Sequence, residues 1–205
     1  MAQVLKATEI VGRRIKELRS RRGLSAQRLA DLCREAGAPD LNRQVITNLE
    51  NGRRGIADVG EVLILARVLN APPVLLFTPV GTDDALALSP TFSMRPDVAL
   101  RWTSGEVPLP DADTREWRKL AEPIALLRDF HDRAGNFARL GKQQRSDVAL
   151  SALSRVAEGA DRLVDAGMPV PPLPATWVDR MRERNMLRYP DEVPIDEEEP
   201  SDGRR

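Results

Sequence analysis

The first third of the chain is cut into helices too short to stand alone. Gly23, Gly37 and Gly52 are suited to ending helices, while Ser25 and Asn42 are suited to capping helix N-termini. The segments they enclose run to about ten residues, below the ~12–15 that an isolated helix needs in water. Such helices survive only by burying their apolar stripes against one another, so this part must collapse into a bundle.

The spacing predicts five helices in residues 4–78 and no strand. The first starts near Thr8, with Ile10, Val11, Ile15 and Leu18 at three- and four-residue steps. The second follows Ser25 and turns Leu29, Leu32 and Cys33 inward, and Leu41 plugs the turn after it. A third, Arg43 to Asn51, points Val45, Ile46 and Leu49 inward and Arg43, Gln44, Thr47 and Asn48 outward. A largely apolar fourth spans Val59 to Leu69, and a short fifth spans Pro72 to Phe77.

Beyond the bundle the composition changes. Residues 79–112 read as a Pro-rich linker, with a small hairpin from Val98 through Ser104-Gly105 to Leu109. Residues 113–188 read as a helical assembly or regulatory region. One helix, Asp113 to Gly141, lines up Trp117, Leu120, Ile124, Leu127, Phe130, Ala134 and Phe137, with Pro123 marking a kink or a start near Glu122. A second, Ser146 to Ala166, carries Val148, Ala152, Leu153, Val156, Ala160, Leu163 and Val164. Together they read as a helical hairpin whose stripe is either plain core or a homodimer interface. An extended stretch, PVPPLP, leads to a last helix with Trp177, Met181 and Leu187. Residues 189–205 form an acidic tail, expected to be disordered and either merely solvating or able to compete with a polyanion.

Several function classes fall away. No apolar run approaches the ~18 residues of a membrane span, and charged residues occupy the first 20 positions where a signal peptide would be apolar, so a cytoplasmic protein without membrane contact is expected. A lone Cys33 and a lone His131 make no disulfide framework and no metal site. No nucleophile motif or phosphate loop is present, so no catalytic residues, no cofactor and no enzyme are expected. His131, near Asp129 and Asp132, reads as a surface histidine, and Cys33 as a small core residue.

The net charge is zero over 205 residues, yet residues 1–78 hold 13 Lys+Arg against 8 Asp+Glu. This is the part suited to double-stranded DNA. Two consecutive helices, the second capped, short and polar on one face, meet the requirement of a major groove about 12 Å wide that admits one helix. Arg43 carries the donors for guanine, and Gln44 or Asn48 those for adenine, with Thr47 on the same face. Taken alone, that face also fits a solvated helix surface. Ser25, Gln27, Asn42, Asn51, Arg53 and Arg54 are candidates for phosphates.

The runs RIKELRSRRGLS, Leu29-Ala30 and ITNLENGRR resemble the Cro/C1-type helix-turn-helix family, also called the XRE family, over about residues 1–78. The resemblance implies an all-α fold, with a five-helix lambda-repressor-like DNA-binding domain ahead of the linker and the small helical region. It implies base contacts at Arg43, Gln44 and Asn48, phosphate contacts at Asn42, Asn51 and Arg53, and a structural ion pair between Arg19 and Glu50. The expected function is a sequence-specific transcriptional regulator, a repressor because blocking polymerase needs only occupancy. A homodimer is expected because one recognition helix reads few base pairs. The alternative is an antitoxin-like module that neutralises a protein partner through residues 113–205 and autoregulates through DNA binding.

Overall fold

A computed structural model describes residues 3–55, 58–140 and 147–196. The chain divides into two compact units, Met1–Pro110 and Asp111–Arg205.

The first unit opens with strand β1 (Val4–Lys6), followed by helices α1 (Ala7–Arg21), α2 (Ala26–Glu35), α3 (Arg43–Glu50), α4 (Val59–Leu69) and α5 (Val74–Phe77). The capping residues act as their types dictate. Ser25 Oγ accepts from Arg28 N–H at 3.0 Å, Asn42 Oδ1 from Val45 N–H at 3.1 Å, and Asp58 Oδ1 from Glu61 N–H at 2.9 Å. Gly23 and Gly52 take φ of 64° and 67°, the left-handed conformation that ends α1 and α3 without a Cβ penalty. The bundle core gathers Val11, Ile15, Leu29, Cys33, Leu41, Ile46, Leu49, Leu65 and Leu76, all buried.

The expectation of a Pro-rich linker over residues 79–112 is corrected. Strands β2 (Ala85–Ser89) and β3 (Phe92–Met94) and helix α6 (Pro96–Thr103) lie within it, and as far as Pro110 it belongs to the first unit. The hairpin lies at 85–94 rather than at 98–109, where Pro96 opens a helix instead. The absence of strands in residues 4–78 is corrected too. β1 lies parallel to β2, with Leu5 beside Leu86, in a three-stranded sheet of order β1-β2-β3. Leu5, Ile10, Leu86, Met94 and Ala99 form a second small core. α1 therefore serves two cores, with Val11 and Ile15 in the bundle and Ile10 against the sheet.

The second unit is built on a hairpin of α7 (Thr114–Arg139) and α8 (Asp147–Asp165), followed by β4 (Leu173–Pro174), α9 (Ala175–Glu183) and β5 (Ile195–Asp196). Asp113 caps α7, its Oδ1 accepting from Arg115 and Glu116 N–H at 2.8 and 3.1 Å, and the helix runs through Pro123 instead of starting there. Phe130, Phe137, Leu153, Val156, Leu163, Val178 and Met181 make its core, with the Phe137 ring edge-on to Trp177 at 4.7 Å. The expected single stripe on α7 splits, because Leu120 and Ile124 are exposed while Phe130 and Phe137 are buried. Val148 is likewise exposed, and Leu187 lies past the end of α9.

The tail expectation is corrected in part. Residues 190–192 form a 3-10 turn, Val193 is buried, and Ile195 pairs with Leu173 in a parallel two-stranded sheet. Asp161, buried on α8, anchors this segment by accepting from Arg188 N–H at 3.0 Å. Residues 197–205, and Ser146 at the expected start of α8, lie outside the described residues. Among the described residues no helix is long and apolar enough to cross a membrane.

Candidate nucleic-acid interface

The outer face of α3 is held rather than merely displayed. Ile46 and Leu49 anchor its inner side in the bundle core, so its helical rotation is fixed. At its C-terminal end Glu50 meets α1. Arg19 Nε donates to Oε1 at 2.6 Å and Nη2 to Oε2 at 2.8 Å, and Nη1 donates to the Leu24 carbonyl at 2.7 Å. The two side chains keep only 16% and 7% of their exposure, and the hydrogen bond to Glu50 raises the Arg19 pKa above its ordinary value. One guanidinium thus ties α1, the turn into α2 and the end of α3 together, in the pairing that the resemblance implied.

Gly12 sets how closely α1 and α3 approach. A Cβ there would lie 2.3 Å from the Leu49 carbonyl oxygen, which no side chain can occupy. Sequence reading missed this role. The signal was available, because glycine inside an amphipathic helix costs about 1 kcal/mol against alanine and so marks a close approach.

With α3 so fixed, Arg43 and Gln44 are exposed, and Thr47 and Asn48 are half-buried on the same side. Gln44 Nε2 donates to Asn48 Oδ1 at 3.2 Å, and Thr47 Oγ1 donates to the Arg43 carbonyl at 2.9 Å. The four candidate base-reading side chains are therefore brought together on one helix face. Beyond α3, Arg53 and Arg54 N–H both donate to the Asn48 carbonyl, at 2.8 and 3.2 Å, and Arg53 and Asn51 stay exposed.

Arg54 behaves differently. Its Nη2 donates to Glu61 Oε1 on α4 at 2.8 Å, and its side chain is 32% exposed, so this arginine braces the segment after α3. Ser25 spends its hydroxyl oxygen capping α2, and Asn42 its amide oxygen capping α3. Gln27 Nε2 donates to Asp31 at 3.0 Å. Ser25, Gln27 and Asn42 mark the N-terminal ends of α2 and α3, where unpaired N–H groups favour anions.

The family model of a helix-turn-helix domain matches residues 10–76, the stretch that holds these two consecutive short helices, the second locked to α1 with its polar face outward. The chain carries a helix-turn-helix domain. No curated protein and no solved structure matches the chain. The helix-turn-helix match covers α2 and α3 and ends at Leu76 in α5, so β1, the β2–β3 hairpin and α6 lie outside the matched stretch. α2 and α3 are the consecutive short helices within the match, and the basic excess of residues 1–78 falls in the same stretch.

Proposed function

We propose that this chain is a sequence-specific transcriptional regulator of the Cro/C1 type that binds double-stranded DNA as a homodimer and represses by occupancy. α3 enters the major groove, with Arg43, Gln44, Thr47 and Asn48 reading base edges, while Asn51, Arg53 and the N-terminal ends of α2 and α3 hold phosphates. The observation that carries this reading is the rigid display of that polar face by the Arg19–Glu50 clamp. Pre-organisation spares the ordering cost a loose helix would pay on binding. The protein works in the cytoplasm, without a cofactor and without catalysing a reaction.

Selection from a random duplex library at near-physiological salt tests the proposal, with an Arg43, Gln44, Asn48 triple-alanine variant alongside. Enrichment of a motif by the wild type and its loss in the variant is the expected result. Equal, sequence-independent binding by both would overturn it.

A further inference from the structure

Gln44 and Asn48 stand four residues apart on the outer face of α3, the spacing at which helical side chains meet. The donation from Gln44 Nε2 to Asn48 Oδ1, at 3.2 Å, leaves the two amides with different remainders. Gln44 keeps Oε1 and its second Nε2 hydrogen, an acceptor and a donor on one amide, whereas Asn48 has committed its oxygen and keeps Nδ2 as a donor. The adenine edge in the major groove asks for the first combination, because N6 donates and N7 accepts. Asn48 could meet it only by sharing an oxygen that already accepts.

Position points the same way. The N-terminal residues of a helix laid in the major groove are the ones that reach base edges, and Gln44 is the second residue of α3 while Asn48 is the sixth. Asn48 is the fixed partner of the two, half-buried and with its carbonyl accepting from Arg53 and Arg54 N–H. Gln44 is exposed, and a glutamine loses much rotamer freedom on being ordered, so a bond that holds it beforehand removes part of that cost from binding. Thr47, the neighbour that also carries a hydroxyl donor, spends its hydrogen on the Arg43 carbonyl and leaves Asn48 Oδ1 to Gln44. We propose that Gln44 reads an adenine and that Asn48 is its positioning residue, accepting the Nε2 hydrogen trans to Oε1 so that the cis hydrogen and Oε1 face adenine N7 and N6. The assignment rests on the major-groove reading above and narrows it, since Asn48 then acts on a base through Gln44.

Titration of the full chain with the selected duplex and its single-base variants tests it. Gln44→Ala should lose discrimination at one A·T pair, which identifies the adenine. Replacing that adenine with 7-deazaadenine, which lacks N7 but keeps its pairing, should weaken the wild type about tenfold and Gln44→Ala hardly at all. Asn48→Ala should keep the wild-type melt, because an exposed side-chain pair one turn apart adds little stability, yet lose most of the preference for that same adenine and for no other base. Asn48→Asp, which keeps the accepting oxygen, should retain the ratio between adenine and 7-deazaadenine even as its charge lowers affinity for every duplex. Full discrimination in Asn48→Ala, loss at a second base pair, or an Asn48→Asp ratio no better than that of Asn48→Ala overturns the positioning role and leaves the major-groove reading standing. Unchanged base preference in Gln44→Ala overturns Gln44 as the reader. Binding without sequence preference by the wild type removes the assignment and the major-groove reading together.

Discussion

Arg19 and Glu50, 31 positions apart, form a two-pronged ion pair that is nearly closed to solvent. It joins α1 to the end of α3. Removing one partner leaves the other desolvated and uncompensated. Arg19→Leu should therefore cost about 3 kcal/mol in urea unfolding, and Glu50→Gln somewhat less because an amide still accepts. A loss below about 0.5 kcal/mol would show that the clamp is dispensable.

Gly12 and Gly135 should respond in opposite directions to the same change. At Gly12 an added methyl collides with the Leu49 carbonyl, so Gly12→Ala should destabilise by about 2 kcal/mol as α1 and α3 separate. At Gly135, half-buried on α7, the nearest foreign atom is Arg139 Nη1 at 3.8 Å, so Gly135→Ala should stabilise by about 0.5–1 kcal/mol. Thermal melts of both variants check the pair, and equal signs would contradict it.

Arg43 and Arg53 should separate in DNA binding. Arg43→Ala should cost about 1–3 kcal/mol on the preferred site and relax choice at one base pair. Arg53→Ala should weaken all sequences alike and lower the salt slope by about 1. Arg54→Ala should differ from both, reducing stability through loss of the Glu61 pair. Titrations at several salt concentrations on matched and scrambled duplexes, with parallel melts, distinguish the three.

Cys33 should be inert in the folded protein. It is fully buried, and burial pushes its thiol up to about 11, so little thiolate exists near neutral pH. Alkylation at pH 8 should follow unfolding, appearing only in denaturant. Rapid native-state labelling would show that α2 opens readily.

The attachment of residues 188–196 should loosen in acid. Asp165 accepts from the Arg188 guanidinium and from Tyr189 Oη at 2.9 Å, and these bonds, the first foremost, hold its carboxyl below the usual carboxylate range. A depressed folded pKa contributes stability above the unfolded value and loses it as pH falls through the folded one. The protection of amides around Val193 against hydrogen exchange, relative to the intrinsic rate at each pH, should therefore fall on acidification. An identical pH profile in Asp165→Asn would rule out this carboxylate as the cause.

The bundle and the polar outer face of α3 were legible because their determinants are local. A cap at Ser25 or Asn42, a stop at Gly23 or Gly52 and a three- to four-residue apolar step each act within a turn or two of helix. The helix order, the inward set of α3 and the outward set Arg43, Gln44, Thr47 and Asn48 follow from sequence by itself. Tertiary structure decided whatever depends on distant partners. Val4–Lys6 is too short to signal a strand and becomes one only because Ala85–Ala87 lies beside it, about eighty residues on. Arg53 and Arg54 are neighbours of one type, and only the position of Glu61 on α4 sets them apart. The α7 stripe shows the same division. Periodicity marks Trp117 through Phe137 as apolar, but where α8 lies decides that Phe130 and Phe137 are core while Leu120 faces water.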